Sequence, residues 1–390
     1  MGTNTNTERL RIAVIIRHYS RIGGAERYCV ELTERLAAQH EVHVFCQAIE
    51  MEQPVNITFH AISKWLDKPR YINQLLFSLW TRQATEGRFD IVHSHDMVTH
   101  ADIYTLHVPC VLSRYTDSMG FKKILRYFNT LISPRMLVYL WLEKHQICPI
   151  NNRQIIVVSE FLEKNILRNY PEIENNISIA YPGIQIKSTP ETQLISRHKQ
   201  RDLLGIAENE LVILFVANDY KSKGLLVLLE AIKKINKTNL HLIVAGNDDP
   251  AKFTDLVTKL KLSQQVHFIG TCEDMNSLYP AADILVHPTL ADTYAMVVLE
   301  AMAHGIPVVV SGAQYCGFSE HLSSNEALLI ANPKDASEIA GHIKTLLADT
   351  DLRHRLAEKG RAKAASISWD DTMEQTLKAY NKALVCIKHA

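Results

Sequence analysis

The chain lacks most of the features that would settle its class at once. It has no excess of either charge, 42 Lys and Arg against 42 Asp and Glu in 390 residues. That balance excludes bulk attraction to nucleic acid and leaves only local basic surfaces. No apolar run approaches the ~20 residues needed to cross a bilayer. The first residues, Met1 to Arg9, show no basic stretch followed by an apolar core, so no signal peptide is expected. No Cys-x-x-Cys pair occurs, and the seven cysteines are odd in number and scattered. Reduced thiols in a cytoplasmic protein are therefore expected, in preference to disulfides or zinc. GxGxxG and GxxxxGK followed by Ser or Thr are both missing, which speaks against nicotinamide dehydrogenases and P-loop enzymes. Low-complexity tracts and short-period repeats are missing too.

What is present is a long alternation of short β-branched runs with helical patterns. Strands are expected at 11–16, 41–46, 89–94, 103–107 and 154–159, then at 211–217, 241–245, 266–269, 284–287 and 308–311. Several are apolar almost throughout, as in parallel sheets covered by helices on both faces. The expectation is an α/β protein of two Rossmann-like doubly wound domains, residues 1–186 and 187–369. The polar stretch 187–201 marks the boundary region, and a helix at about 370–390 is a candidate to pack back on the first domain.

Three motifs sit where such folds bind ligands. After the first strand comes Gly23-Gly24-Ala25-Glu26; glycines there let the backbone approach a ligand, and a plain strand–helix turn is the simpler reading. A strand ending at His287 leads into a loop with Asp292, then a helix expected from about Thr293 to His304 and stopped by Gly305 and Pro307. Asp292 alone could be a cap, and Glu300 a solvated helix residue. Finally, His93, His95 and Asp96 precede a strand ending at His107. A histidine at a strand's carboxyl end suits ligand contact, whereas His93 and His95 read better as structural, and His-x-His beside Asp96 has no convincing metal spacing.

The segment 113–135 is different in kind. Lys122, Lys123 and Arg126 lie off an apolar stripe formed by Phe121, Ile124, Leu125, Phe128 and Leu131. Such a basic amphipathic helix suits an anionic membrane surface, or simply packs on its own domain.

Taken together, Asp292 with Glu300 eight residues on, within Pro-Thr…Glu-Ala-Met-Ala…Gly-Ile-Pro-Val, resembles the acidic signature of the family 4 retaining glycosyltransferases of GT-B fold. Gly23-Gly24-Ala25-Glu26 resembles that family's N-terminal glycine loop, and Asp219 to Gly224 its Lys-Gly phosphate-binding turn. Ala313 to Phe318 is most similar to the lipopolysaccharide core glucosyltransferases that add glucose to heptose. Two positions depart from the pattern: Asp292 stands where Glu is usual, and Asn218 where many members carry Arg.

The resemblance implies a hexosyltransferase, independent of metal or other cofactor, that uses a nucleotide sugar such as UDP-glucose. The acceptor is then a lipid-linked glycan, reached at the inner face of the cytoplasmic membrane, and no nucleic acid is involved. It also implies a donor held between the two domains. Lys223, Lys221 and the backbone at Gly23, Gly24, Thr293, Tyr294 and Ala295 then meet the diphosphate. Asp292 meets the sugar hydroxyls, Glu300 the ribose, and His107 the sugar near its reacting carbon. Glu26 is the candidate on the acceptor side.

Overall fold

The computed structural model describes residues 9–113, 133–150, 153–185, 189–272 and 274–387. The chain divides into two compact units, one of residues 1–183 with 369–390 and the other of residues 184–368.

The first unit is built on a seven-stranded, fully parallel sheet. Its strands run in the order 57–61, 41–46, 11–15, 91–94, 103–106, 154–157, 177–179. The central strands Ile91–Ser94, Ile103–Leu106 and Gln154–Val157 are buried at every residue, because helices cover both faces. Strand order reverses about Arg11–Ile15, which is flanked by 41–46 on one side and 91–94 on the other. This switch point opens a crevice at the carboxyl ends of 11–15 and 91–94, the general ligand site of doubly wound sheets. The helix Trp369–Ile387 packs on this unit, with Tyr380 fully buried and Thr372 donating to the Tyr181 carbonyl at 2.5 Å.

The second unit carries a six-stranded parallel sheet in the order 266–270, 240–245, 211–216, 284–287, 308–311, 328–330. Its switch point lies between Leu211–Val216 and Ile284–His287. The polar stretch expected to be a boundary is mostly helix, Pro190–Leu204. Thr189 caps it by accepting from the Thr192 amide, Pro190 fits its first turn, and Gly205 ends it in the left-handed region. Its polarity reflects a face in water: only Arg201 is buried, donating to the carbonyls of Ala207, Glu208, Glu210 and Ala281 and to Asp283.

Candidate active site

In the second unit, the strand Ile284–His287 delivers its last residue to the switch point, where His287 is buried. His287 Nε2 lies 3.0 Å from Asp292 Oδ2, and Lys223 Nζ donates to the same oxygen at 2.7 Å. Lys223 also donates to the Ala291 carbonyl at 2.8 Å. The other carboxylate oxygen accepts from the amides of Tyr294 at 3.3 Å and Ala295 at 2.9 Å. Burial by itself would lift the Asp292 pKa, but the His287 hydrogen bond and the Lys223 charge outweigh it and hold the carboxyl well below its ordinary value. An ionised carboxylate only accepts, so Nε2 of His287 carries the proton in this contact.

The backbone explains why the loop holds this shape. Ala295 adopts a left-handed conformation at φ 65°, and the helix begins only at Met296, ending at Ala303. The helix expected from Thr293 therefore starts three residues later. Asp292 does not cap it from the adjoining position: its side chain instead folds the 292–295 loop, giving local backbone donors an alternative to helix. As a consequence, the Tyr294 and Ala295 amides expected to meet a diphosphate are aimed at Asp292.

On the facing turn, Gly224 stands at φ 86°, where an added Cβ would lie 2.1 Å from the Pro288 carbonyl oxygen. Only glycine fits there, and its fit brings Lys223 to Asp292. Gly224→Ala is expected to lower stability by about 3 kcal/mol. Thermal unfolding checks it, and an unchanged Tm would show that the turn can open without cost. Lys221, on the same turn, is exposed. Glu300 is buried in the helix and accepts from the Tyr279 hydroxyl at 2.5 Å, so it is not a solvated helix residue.

The crevice of the first unit forms a cavity of about 260 Å³ lined by Glu26, His95, Asp96 and His107 among others. Arg17 closes one side by a two-point contact with Asp96, its backbone amide and its Nε each donating at 2.8 Å. Gly23, at φ 100°, precedes the helix Gly24–Leu36, and the Glu26 carboxylate lies where a Gly23 Cβ would be, 2.4 Å from that position. Burial lifts the Glu26 pKa.

His93, His95 and His107 form one stack. The rings of His93 and His95 are 4.5 Å apart and those of His95 and His107 5.4 Å, with His95 Nδ1 3.1 Å from His107 Nε2. His93 meets the Tyr380 hydroxyl at 2.8 Å and the Thr105 hydroxyl at 2.7 Å, which is a structural role. Burial pushes the pKa of His107 down to about 3. A neutral imidazole at that position can orient a hydroxyl by hydrogen bonding but does not act as a cation at neutral pH.

Among the expected residues, Lys223, Asp292, Thr293, Tyr294 and Ala295 thus come together in the second unit, with Glu300 in the adjoining helix. Glu26 and His107 line the first unit's crevice, and Gly23 and Gly24 open the helix that carries Glu26. Lys122, Lys123 and Arg126 lie outside the described residues. Sequence reasoning passed over His287 as a partner of Asp292 and Arg17 as a partner of Asp96. His287 is the last residue of a parallel strand and Arg17 stands two residues past one, each at a switch point, and that position was the available signal.

Comparison with known proteins agrees with this geometry. The model of Glycosyltransferase Family 4 matches residues 22–188, and that of Glycosyl transferases group 1 matches residues 196–363. The chain is 25% identical to the uncharacterized glycosyltransferase MJ1607 of Methanocaldococcus jannaschii, over 96% of this chain and 99% of that protein. It is 24% identical to lipopolysaccharide glucosyltransferase WaaG of Escherichia coli (strain K12), over 90% and 93% of the two chains. A crystal structure of WaaG superposes with a TM-score of 0.81, covering 95% of this chain and 98% of that one. Anabaena Alr3699/HepE in complex with UDP-glucose is similar at a TM-score of 0.70 and 18% identity, over 96% and 100%. Two consecutive family matches on two parallel-sheet units, with an acidic loop and a Lys-Gly turn at one switch point, identify the chain as a nucleotide-sugar glycosyltransferase of the GT-B fold, with family 4 and group 1 domains.

Proposed function

We propose that the protein transfers glucose from UDP-glucose, with retention at the anomeric carbon, to a lipid-linked glycan such as a heptose of the lipopolysaccharide core. The observation that carries this reading is the Lys223–Asp292–His287 cluster, a preformed cation and hydrogen-bond acceptor at one switch point. The resemblance to WaaG, described as a lipopolysaccharide glucosyltransferase, and to a HepE complex holding UDP-glucose supports the choice of sugar and nucleotide.

In this reading the bond between the anomeric carbon and the phosphate oxygen breaks as the bond to the acceptor oxygen forms on the same face. The acceptor proton passes to the departing phosphate oxygen, so no separate base is needed. Negative charge grows on the diphosphate, and Lys223 leaves its pairing with Asp292 to meet it, with Lys221 adding charge from the same turn. Asp292, relieved of one partner, accepts from sugar hydroxyls. Glu300 takes the ribose. In the first unit, Glu26 and His107 are assigned to hydroxyls of a reacting sugar. The basic segment with Lys122, Lys123 and Arg126 is assigned to an anionic membrane at the cytoplasmic face.

A thermal-shift screen of UDP-, GDP- and ADP-sugars tests the donor. UDP-glucose is expected to raise the Tm most, and transfer to a heptose-terminated core acceptor is expected to be unchanged by EDTA, because Lys223 supplies the countercharge. A larger shift with GDP-mannose or a UDP-hexosamine would overturn the donor assignment. Donor turnover without acceptor would point to an epimerase, and no nucleotide binding at all to a non-catalytic scaffold.

A further inference from the structure

The backbone of Asp292 is pinned on both sides. Its amide donates to the Tyr315 carbonyl at 2.8 Å, and its carbonyl accepts from the Gly317 amide at 2.9 Å. Oδ1 of the side chain is tied to the amides of Tyr294 and Ala295. Oδ2 has two donors among the described residues, Lys223 Nζ at 2.7 Å and His287 Nε2 at 3.0 Å. A carboxylate oxygen offers about two lone-pair sites, so both are filled.

The two donors differ in freedom. Lys223 stands on an exposed turn, is itself partly exposed, and is the group assigned to the diphosphate. His287 is buried at the end of its strand, after Ile284, Leu285 and Val286, which are all fully buried. An imidazole breaks that apolar pattern. Its Nδ1 is buried with no hydrogen-bond partner among the described residues, so its one polar contact there is Asp292. A buried nitrogen left unpaired costs stability that an apolar side chain would not cost, and such a local conflict is expected where a residue serves a site.

We propose that His287 is a positioning residue for the donor sugar: when Lys223 turns to the diphosphate, His287 alone holds Oδ2 of Asp292, with one lone pair filled and the other open to a sugar hydroxyl. The inference rests on reading Lys223 as the partner of the diphosphate and Asp292 as that of the sugar. Without the imidazole, Oδ2 has no donor except Lys223. The carboxylate then either keeps the lysine from the diphosphate or turns after it, and the hydroxyl loses its acceptor in both cases. No proton leaves His287 in this role.

The test titrates UDP and UDP-glucose calorimetrically into the full chain, and measures transfer to a heptose-terminated core acceptor. In His287→Leu, UDP affinity is expected to stay within about twofold, while the ratio of UDP-glucose to UDP affinity and kcat each fall about tenfold or more. His287→Gln places an amide donor near the position of Nε2 and is expected to recover most of both. His287→Asn, whose shorter amide stops short of Asp292, should behave as His287→Leu does, and it carries the test if the leucine variant does not fold. An unchanged ratio and kcat in the variants without a donor would overturn the proposal. So would a lowered Tm with UDP and UDP-glucose weakened alike, which would leave His287 a structural residue. A wild type that binds no UDP is a distinct result: it overturns the assigned function, and this proposal with it.

Discussion

Asp292→Ala is expected to lower kcat/KM for transfer by at least about a hundredfold and to cost about 3 kcal/mol of stability. Both losses have one origin. The carboxylate holds Lys223, His287 and the amides of Tyr294 and Ala295, so its removal strands a buried imidazole and frees the 292–295 loop. Asp292→Asn separates the two effects. The amide oxygen can still receive the backbone N–H groups, so stability should fall less, while the lost charge no longer anchors Lys223. Asp292→Glu restores the residue usual in the resembling family and is expected to recover part of the activity. Full activity of Asp292→Ala in a transfer assay would remove the residue from the site.

The same carboxyl gives the fold a pH dependence of known sign. Its folded pKa lies below the ordinary value of about 3.9, so its stabilising contribution is complete above that pH. As pH falls further, toward the folded value, protonation breaks the Lys223 and His287 contacts and the contribution is lost. Thermal unfolding between pH 6 and pH 3 should show this, with wild type losing more Tm than Asp292→Asn. Parallel curves for the two proteins would contradict the assignment.

Lys223→Ala is expected to have the second large effect, a fall of about a hundred- to a thousandfold in kcat, the range seen when one preorganised stabiliser of developing charge is removed. The Tm should fall less than in Asp292→Ala, since the largely buried carboxylate loses one charge partner but keeps His287 and the two amides. Lys223→Arg keeps the charge but not the point geometry, and so should keep nucleotide affinity better than turnover. A lysine serving only to fix Asp292 would behave otherwise: Lys223→Ala would then lower the Tm and spare kcat.

Much of the architecture was legible from apolar runs alone. Ten strands read as β-branched blocks agree with the structure to within about two residues at their ends, because a buried parallel strand must be apolar on both faces. Five short strands were not read: 18–19, 48–49, 57–61, 177–179 and 328–330. Ile57–Ala61 and Ile177–Ile179 form the two edges of their sheet, and Leu328–Ile330 an edge of the other. Edge strands are half exposed and carry mixed residues such as Thr58, His60 and Ser178, so they lack the signal. The helix at 190–204 was missed for a related reason: its caps were present in Thr189 and Gly205, but its solvent face hid the periodicity.

By itself, the sequence determined the two parallel-sheet units, the switch-point loops and the acidic, lysine and glycine residues placed on them, since strand burial and turn chemistry are local demands. Only the tertiary structure decided what those residues do to one another. Asp292 and His287 are five positions apart and Lys223 lies 69 positions before Asp292, yet all three meet at one oxygen. Arg17 and Asp96 are joined across 79 positions by two adjacent parallel strands. The loop at 292–295 obeys the carboxylate and not the helix that follows, because two amide hydrogen bonds to Asp292 outweigh both the cost of a left-handed Ala295 and the loss of one more turn of helix. Chain positions far apart are brought within 3 Å by parallel pairing, and no local pattern encodes that distance.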